Sequence, residues 1–137
     1  MGLFDVFGKG GGTLTFELES DTATCKQAFR GALVFTGGKR KQTIEGMQIW
    51  FVEVQSDGET SLWAPTKLPL KDTIEPGEVK RYPFEVEVPR ASQTRVNGRA
   101  LKTFGIRGSL DIPKEIDPQA KAEIRLEGTL DAEVTVG

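Results

Sequence analysis

Carboxylates are the side chains of this sequence that could carry out catalysis or hold a cation. The chain has 20 Asp and Glu residues, no histidine and one cysteine, Cys25. Nucleophiles paired with histidine are therefore excluded, as are zinc sites built from histidine or from thiolates alone. Calcium binding needs several converging oxygen ligands, and glycoside cleavage needs two carboxylates at a set separation. No carboxylate spacing is typical of either, so we expect no enzyme, no metal and no cofactor.

Positive charge is concentrated in two predicted loops. Lys39, Arg40 and Lys41 form the tip of a predicted hairpin, and a second group lies in or beside a long polar loop: Arg90, Arg95, Arg99 and Lys102. If the two loops meet at one end of the fold, they form a positive rim for an acidic protein or a phosphorylated peptide. The alternative is charge that is simply solvated. Nucleic-acid binding is not expected, because the net charge is −2 and the loops lack aromatic residues for base stacking.

One predicted strand, residues 44–54, is apolar on both faces. Its two alternating sets are Met47, Ile49 and Phe51 on one face, and Trp50, Val52 and Val54 on the other. A sandwich strand buries only one face against the opposite sheet, so something should cover the second. The candidates are the N-terminal segment with Leu3, Phe4 and Phe7, or a partner or second copy of the chain; the alternative is that the strand end twists or that edge loops cover the face. Trp50, Val52 and Val54 are therefore candidate binding residues together with the basic tip.

A period of two dominates the rest of the chain and predicts an antiparallel sheet with one apolar face. The tail is the clearest example, with an apolar set that should face a core: Ala122, Ile124, Leu126, Leu130, Ala132, Val134 and Val136. Frequent Gly and Pro turns and the lack of a long helical pattern favour an all-β, immunoglobulin-like sandwich of about seven to eight antiparallel strands. Trp63 should lie in the core, on an edge strand marked by Pro65 and Pro69.

The N-terminal segment differs from the rest in composition. Residues 1–12 should be an apolar segment on a flexible tether, because Gly8-Lys9-Gly10-Gly11-Gly12 is glycine-rich, and residues 13–137 should form the sandwich domain. The segment is too short for a signal peptide, and no run approaches the length of a membrane helix. We therefore expect a cytoplasmic protein without an integral membrane segment, in keeping with its single cysteine.

Several motifs together resemble a known family. They are Gly2-Leu3-Phe4, Ile44-Glu45-Gly46-Met47-Gln48-Ile49, Ile74-Glu75-Pro76-Gly77-Glu78 followed by Tyr82-Pro83-Phe84-Glu85-Val86, and Leu110-Asp111-Ile112-Pro113 before Ile116-Asp117-Pro118. In this order and spacing the chain resembles the bacterial arrestin-like sporulation-control family of the stage-zero-M type. The resemblance covers nearly the whole chain. It implies an arrestin-like sandwich with a regulatory role and no catalytic residues to carry over.

The leading functional hypothesis is a non-catalytic regulatory module that binds a protein partner or associates with itself. Recognition would use a strand edge, the Trp50 face or the basic loops. The alternative is a ligand-binding sandwich that takes carbohydrate, or lipid in the presence of calcium. A third hypothesis, an enzyme, requires two carboxylates in one pocket with pKa values pushed apart.

Overall fold

The computed structural model describes residues 3–6 and 11–137. It contains 15 strands in that part of the chain. Six of them have seven or more residues: β2 (Gly12–Leu18), β4 (Ala28–Gly37), β6 (Gly46–Gln55), β10 (Val79–Glu87), β13 (Thr103–Asp111) and β14 (Gln119–Glu127). The shorter ones are β1 (Leu3–Val6), β3 (Thr22–Thr24), β5 (Gln42–Ile44), β7 (Gly58–Ser61), β8 (Thr66–Leu68), β9 (Asp72–Ile74), β11 (Ser92–Val96), β12 (Arg99–Ala100) and β15 (Leu130–Val134).

Two sheets form the body of the fold. The larger has the order β1-β14-β13-β6-β7, with β3 paired to β14 and β8 paired to β6. The smaller has the order β10-β4-β2. Nearly all neighbours in these sheets are antiparallel, β3 with β14 being parallel. Two small sheets, β12-β11-β15 and β5-β9, complete the fold. The predicted all-β sandwich is confirmed.

The core lies between the two large sheets because the period-two pattern points alternate side chains inward. Leu33 and Phe35 of β4 are fully buried, as is Ile106 of β13. Aromatic rings join the two sheets: Phe29 of β4 and Phe51 of β6 meet edge to face with ring centroids 6.3 Å apart. The sheets approach closely at Gly108, where a Cβ would come within 2.9 Å of side-chain atoms of Leu33 and Phe16.

The C-terminal part of the tail departs from the prediction. Ala122 and Ile124 of β14 enter the core, as expected. Gly128, with φ of +75°, then redirects the chain, and β15 pairs in parallel with β11 outside the main sandwich. Leu130 is consequently 71% exposed, and Val134 and Val136 are exposed as well. The predicted burial of Leu130, Ala132, Val134 and Val136 was wrong, because all four are exposed after one left-handed glycine ends the shared strand.

Residues 3–6 extend the large sheet sideways instead of lying over it. Leu3 pairs with Ala122 and Val6 with Gln119, so β1 is a lateral neighbour of β14, and two strands, β14 and β13, separate it from β6. The segment's backbone therefore does not cover the second face of β6. Residues 8–10 of the predicted tether lie outside the described residues, and its flexibility stays a prediction. No helix in the described part has the length and apolarity needed to cross a membrane.

Candidate functional site

The second face of β6 is largely covered from within the chain. Val52 is only 1% exposed, and Trp50 and Val54 are half-buried. Trp50 pairs in register with Arg107 of β13. Arg107 is buried although it lies on the side of the sheet away from the core. The candidate set Trp50, Val52 and Val54 therefore does not form an open apolar patch.

Arg107 is held by an ion pair that crosses this face. Its Nη2 and Nε donate to the two carboxylate oxygens of Glu59 on β7, at 2.8 Å and 3.2 Å. Its Nη1 donates to the carbonyl oxygens of Ile106 and Ala122. The hydrogen bonds from Arg107 lower the pKa of Glu59. Sequence reasoning missed this pair, because its partners lie 48 residues apart.

Room for the guanidinium comes from Gly105. A Cβ at this position would approach Arg107 Nη1 to 2.5 Å. The glycine two residues before the arginine is the one sequence signal that could have suggested a side chain lying flat on the strand.

The two basic loops lie at opposite ends of the sandwich. The loop with Lys39, Arg40 and Lys41 follows β4 at the end of the sandwich marked by Gly37, where Gly77 of the β9–β10 turn donates to the carbonyl of Gly37. Arg90 follows β10 at the other end, marked by Val88. The predicted combined rim is therefore not formed. The three residues of the basic tip are all exposed, and Lys41 lies 3.9 Å from Glu75 in a weak ion pair.

A third surface lies along the open side of the sandwich, where β10 borders one sheet and β7 and β8 border the other. β7 and β8 pair in succession with β6, and residues 62–65 between them bulge outward. This bulge presents Trp63, which is 75% exposed. The Ser61 hydroxyl donates to the Trp63 carbonyl at 2.6 Å and fixes the bulge. The edge position was predicted correctly, but the predicted burial of Trp63 was wrong.

A cavity of about 630 Å³ opens beside this tryptophan. It is lined by Leu62, Trp63 and Thr66 from the bulge, and by Lys26, Glu87, Pro89 and Arg90 from the Val88 end. Lys26 lies 3.8 Å from Glu87 in an exposed ion pair. Arg90 forms no ion pair with any other described residue. Tryptophan and arginine are both enriched among the residues that contribute most to the binding energy of protein interfaces.

A polar network ties β9 to β10 at the Gly37 end. Asp72 accepts hydrogen bonds from the Tyr82 hydroxyl at 2.9 Å and from Lys80 Nζ at 3.1 Å. These bonds, led by that of Tyr82, lower the pKa of Asp72. Burial, and then the bond to Asp72, raise the pKa of Tyr82. Within the described residues, no three Cys, Asp or Glu side chains are grouped so that they could hold a metal ion.

Comparison with known families places this geometry in context. The family described as SpoOM protein matches residues 2–133. The chain belongs to the SpoOM protein family. The expected family resemblance is thereby confirmed.

The solved structures agree with this assignment at the level of fold. The SpoOM-family chain superposes on the crystal structure of Spo0M, sporulation control protein, from Bacillus subtilis, with a TM-score of 0.67 and 22% identity. The match covers 88% of this chain and 51% of that one, so the chain spans about half the length of its relative. This confirms the arrestin-like sandwich.

A second solved structure is much less similar to this SpoOM-family chain. It is alkylpurine DNA glycosylase AlkC from Pseudomonas fluorescens, bound to DNA containing an abasic site analog, with a TM-score of 0.49 and 9% identity over 84% of this chain and 30% of that one. No curated protein matches the chain.

Proposed function

We propose that this SpoOM-family chain is a non-catalytic regulatory module that binds a protein partner through the open side of the sandwich. The observation that carries the proposal is Trp63, 75% exposed on a fixed bulge beside the cavity. A large aromatic side chain exposed to solvent has apolar surface that a protein partner could bury on binding. Truncating an anchor of this kind typically costs about 2 kcal/mol or more of binding free energy.

The ionisable groups with shifted pKa values support a non-catalytic role. Glu59 is held by Arg107, and Asp72 is held by Tyr82 and Lys80. Both carboxylate pKa values are lowered, whereas a catalytic pair needs one of them raised so that it keeps its proton near neutral pH. These groups join separate strands, which is a structural task.

The basic tip is a second candidate surface. Lys39, Arg40 and Lys41 are exposed in a short loop whose neighbouring turn supplies one weakly paired carboxylate, Glu75. Such a cluster favours an acidic protein partner. We further propose a cytoplasmic location and no nucleic-acid partner. Trp50 and Val54 could join an interface at their exposed atoms, and Val52 would contribute only packing beneath them.

Site-specific photo-crosslinking in cells of the source organism tests the proposal. A photoreactive phenylalanine analogue replaces Trp63 in one variant and Ile116 in a control. Ile116 is also exposed, at 67%, but lies at the Gly37 end. We expect a discrete protein adduct from position 63 only, identified by mass spectrometry. The same adducts from both positions, or none from position 63, would contradict the proposal.

A further inference from the structure

We infer that the cavity and the adjoining end of β10 bind an extended peptide that carries an apolar side chain and, two residues away, a carboxylate. This inference rests on the proposed function and specifies the chemistry of the partner. It combines three features of one surface: free main-chain groups, an apolar cavity and unpaired positive charge.

The free main-chain groups follow from the hydrogen-bond alternation of β10. Val88 N donates to the carbonyl of Gln27, and Gly37 N donates to the carbonyl of Glu78. β10 pairs with β4 without interruption between these points, so its even-numbered residues bond to β4. The N–H and C=O groups of Glu85 and Glu87 therefore point away from β4, toward the open side where no strand of the described residues pairs with β10.

Pro83 limits how far a peptide can pair along this edge. Pro83 is also an odd-numbered residue of β10, so its main chain faces away from β4, and proline has no N–H to donate. The edge is thus closed in its middle, which protects it against unlimited strand addition. The part around Glu85 and Glu87 lies on one side of this proline, next to the cavity that Glu87 lines. This length suits a peptide of about four residues at the spacing of an extended strand.

The cavity explains where the peptide's side chains go. Its volume of about 630 Å³ exceeds that of a single side chain, and Leu62, Trp63 and Pro89 give it an apolar wall. Residues two apart in an extended chain point the same way. If one apolar side chain of the peptide lies against Trp63, the peptide side chain two residues away therefore points into the same cavity.

The charged residues that line the cavity determine which type of second peptide side chain it favours. The cavity has two cations, Lys26 and Arg90, and one carboxylate, Glu87. Glu87 is engaged by Lys26 at 3.8 Å, which leaves Arg90 for an incoming carboxylate. A guanidinium binds a carboxylate through two parallel hydrogen bonds, so Arg90 would favour an acidic residue over an amide of the same shape.

Fluorescence anisotropy with synthetic peptides tests the inference on the purified chain. The probe is a fluorescein-labelled set of peptides of about six residues, with Trp, Phe or Leu at one position, Asp or Glu two positions later, and Thr or Val elsewhere. We expect saturable binding. Trp63→Ala should weaken it about tenfold or more. Ile116→Ala should not change it, because that residue lies at the other end.

Two modified probes test the pose. A peptide with Asn or Gln in place of the acidic residue should bind the native chain more weakly than the acidic peptide does. The Arg90→Gln variant should bind the two peptides with equal affinity. N-methylation of a peptide amide facing β10 should also weaken binding. Equal binding of acid and amide peptides to the native chain, or insensitivity to both Trp63→Ala and N-methylation, overturns the inference.

Two further outcomes separate this inference from the proposed function. If position 63 crosslinks to a protein in cells but no peptide binds, the partner presents a folded surface and only the peptide inference fails. If a glycan array gives binding that Trp63→Ala abolishes while no peptide binds, the cavity takes carbohydrate and the peptide inference fails.

Discussion

Arg107 and Glu59 form a bidentate ion pair on the side of the large sheet that faces away from the core, with nitrogen–oxygen distances of 2.8 Å and 3.2 Å. The pair joins β13 to β7 across the intervening strand β6. It covers a face whose residues alone predict an apolar contact with another segment or subunit. The arrangement also determines how the protein should respond to acid.

Glu59→Gln should destabilise the fold by about 1–3 kcal/mol, because it leaves the buried Arg107 with a weakened partner. The pKa of Glu59 is lowered on folding, so its contribution is present above the pKa of the unfolded chain and is lost as the pH falls through the folded value. Urea unfolding at a series of pH values from neutral to acidic measures this. As the pH falls, the native chain should lose more unfolding free energy than Glu59→Gln. If the two proteins lose the same amount, the acid sensitivity does not come from Glu59.

Gly108→Ala should destabilise by about 1–3 kcal/mol through overpacking, because its Cβ would meet Leu33 and Phe16 at 2.9 Å. Gly46→Ala is the matched control, since the nearest atom to its Cβ is Asp111 Cβ at 3.8 Å. It should be neutral, or stabilising by about 0.5 kcal/mol through reduced chain entropy in the unfolded state. Thermal unfolding compares the two variants. Equal midpoints would mean that the sheets do not approach closely at Gly108.

Tyr82→Phe should cost about 1 kcal/mol, because the Asp72 carboxylate loses its hydroxyl donor. Folding raises the pKa of Tyr82, so the native protein should keep this stability below the unfolded pKa of about 10 and lose it as the pH rises further. Denaturant midpoints measured between neutral and strongly alkaline pH test the sign. If Tyr82→Phe loses as much stability at alkaline pH as the native chain, the loss comes from another ionisable group.

Charge reversal of Lys39, Arg40 and Lys41 to Glu should change stability by less than about 0.5 kcal/mol, because all three side chains are solvated. If the tip recognises an acidic partner, the same variant should lose crosslinks formed from this loop. Arg90→Glu, at the other end of the sandwich, is the control and should keep them. If the crosslinks survive charge reversal at the tip, the three cations do not recognise a partner and are simply solvated.

The chain should be monomeric over a dilution series, because Val52 is already covered and the Arg107–Glu59 pair occupies the same face. Light scattering measures the mass at each concentration. A dimer that Trp50→Glu dissociates would show instead that the half-buried Trp50 is a self-association surface.

The sequence by itself determined the fold class and most of the core. Alternation with a period of two is imposed by strand geometry, so Ile49, Ala122 and Ile124 could be assigned to an apolar face without knowing their neighbours. Glycine- and proline-containing turns placed the strand ends, and motif order identified the family. These features are local, and local patterns are readable along the chain.

Only the tertiary structure decided the binding surfaces. Whether Trp63 is buried depends on the pairing of both β7 and β8 with one strand, which forces the residues between them outward. Whether two basic loops meet depends on which strands they follow, and β4 and β10 run in opposite directions. The Arg107–Glu59 pair lies on the face that also carries Val52, because the fold brings together two residues that are 48 apart in the sequence. Each of these results depends on contacts between distant residues, and such contacts leave no periodic trace in the sequence.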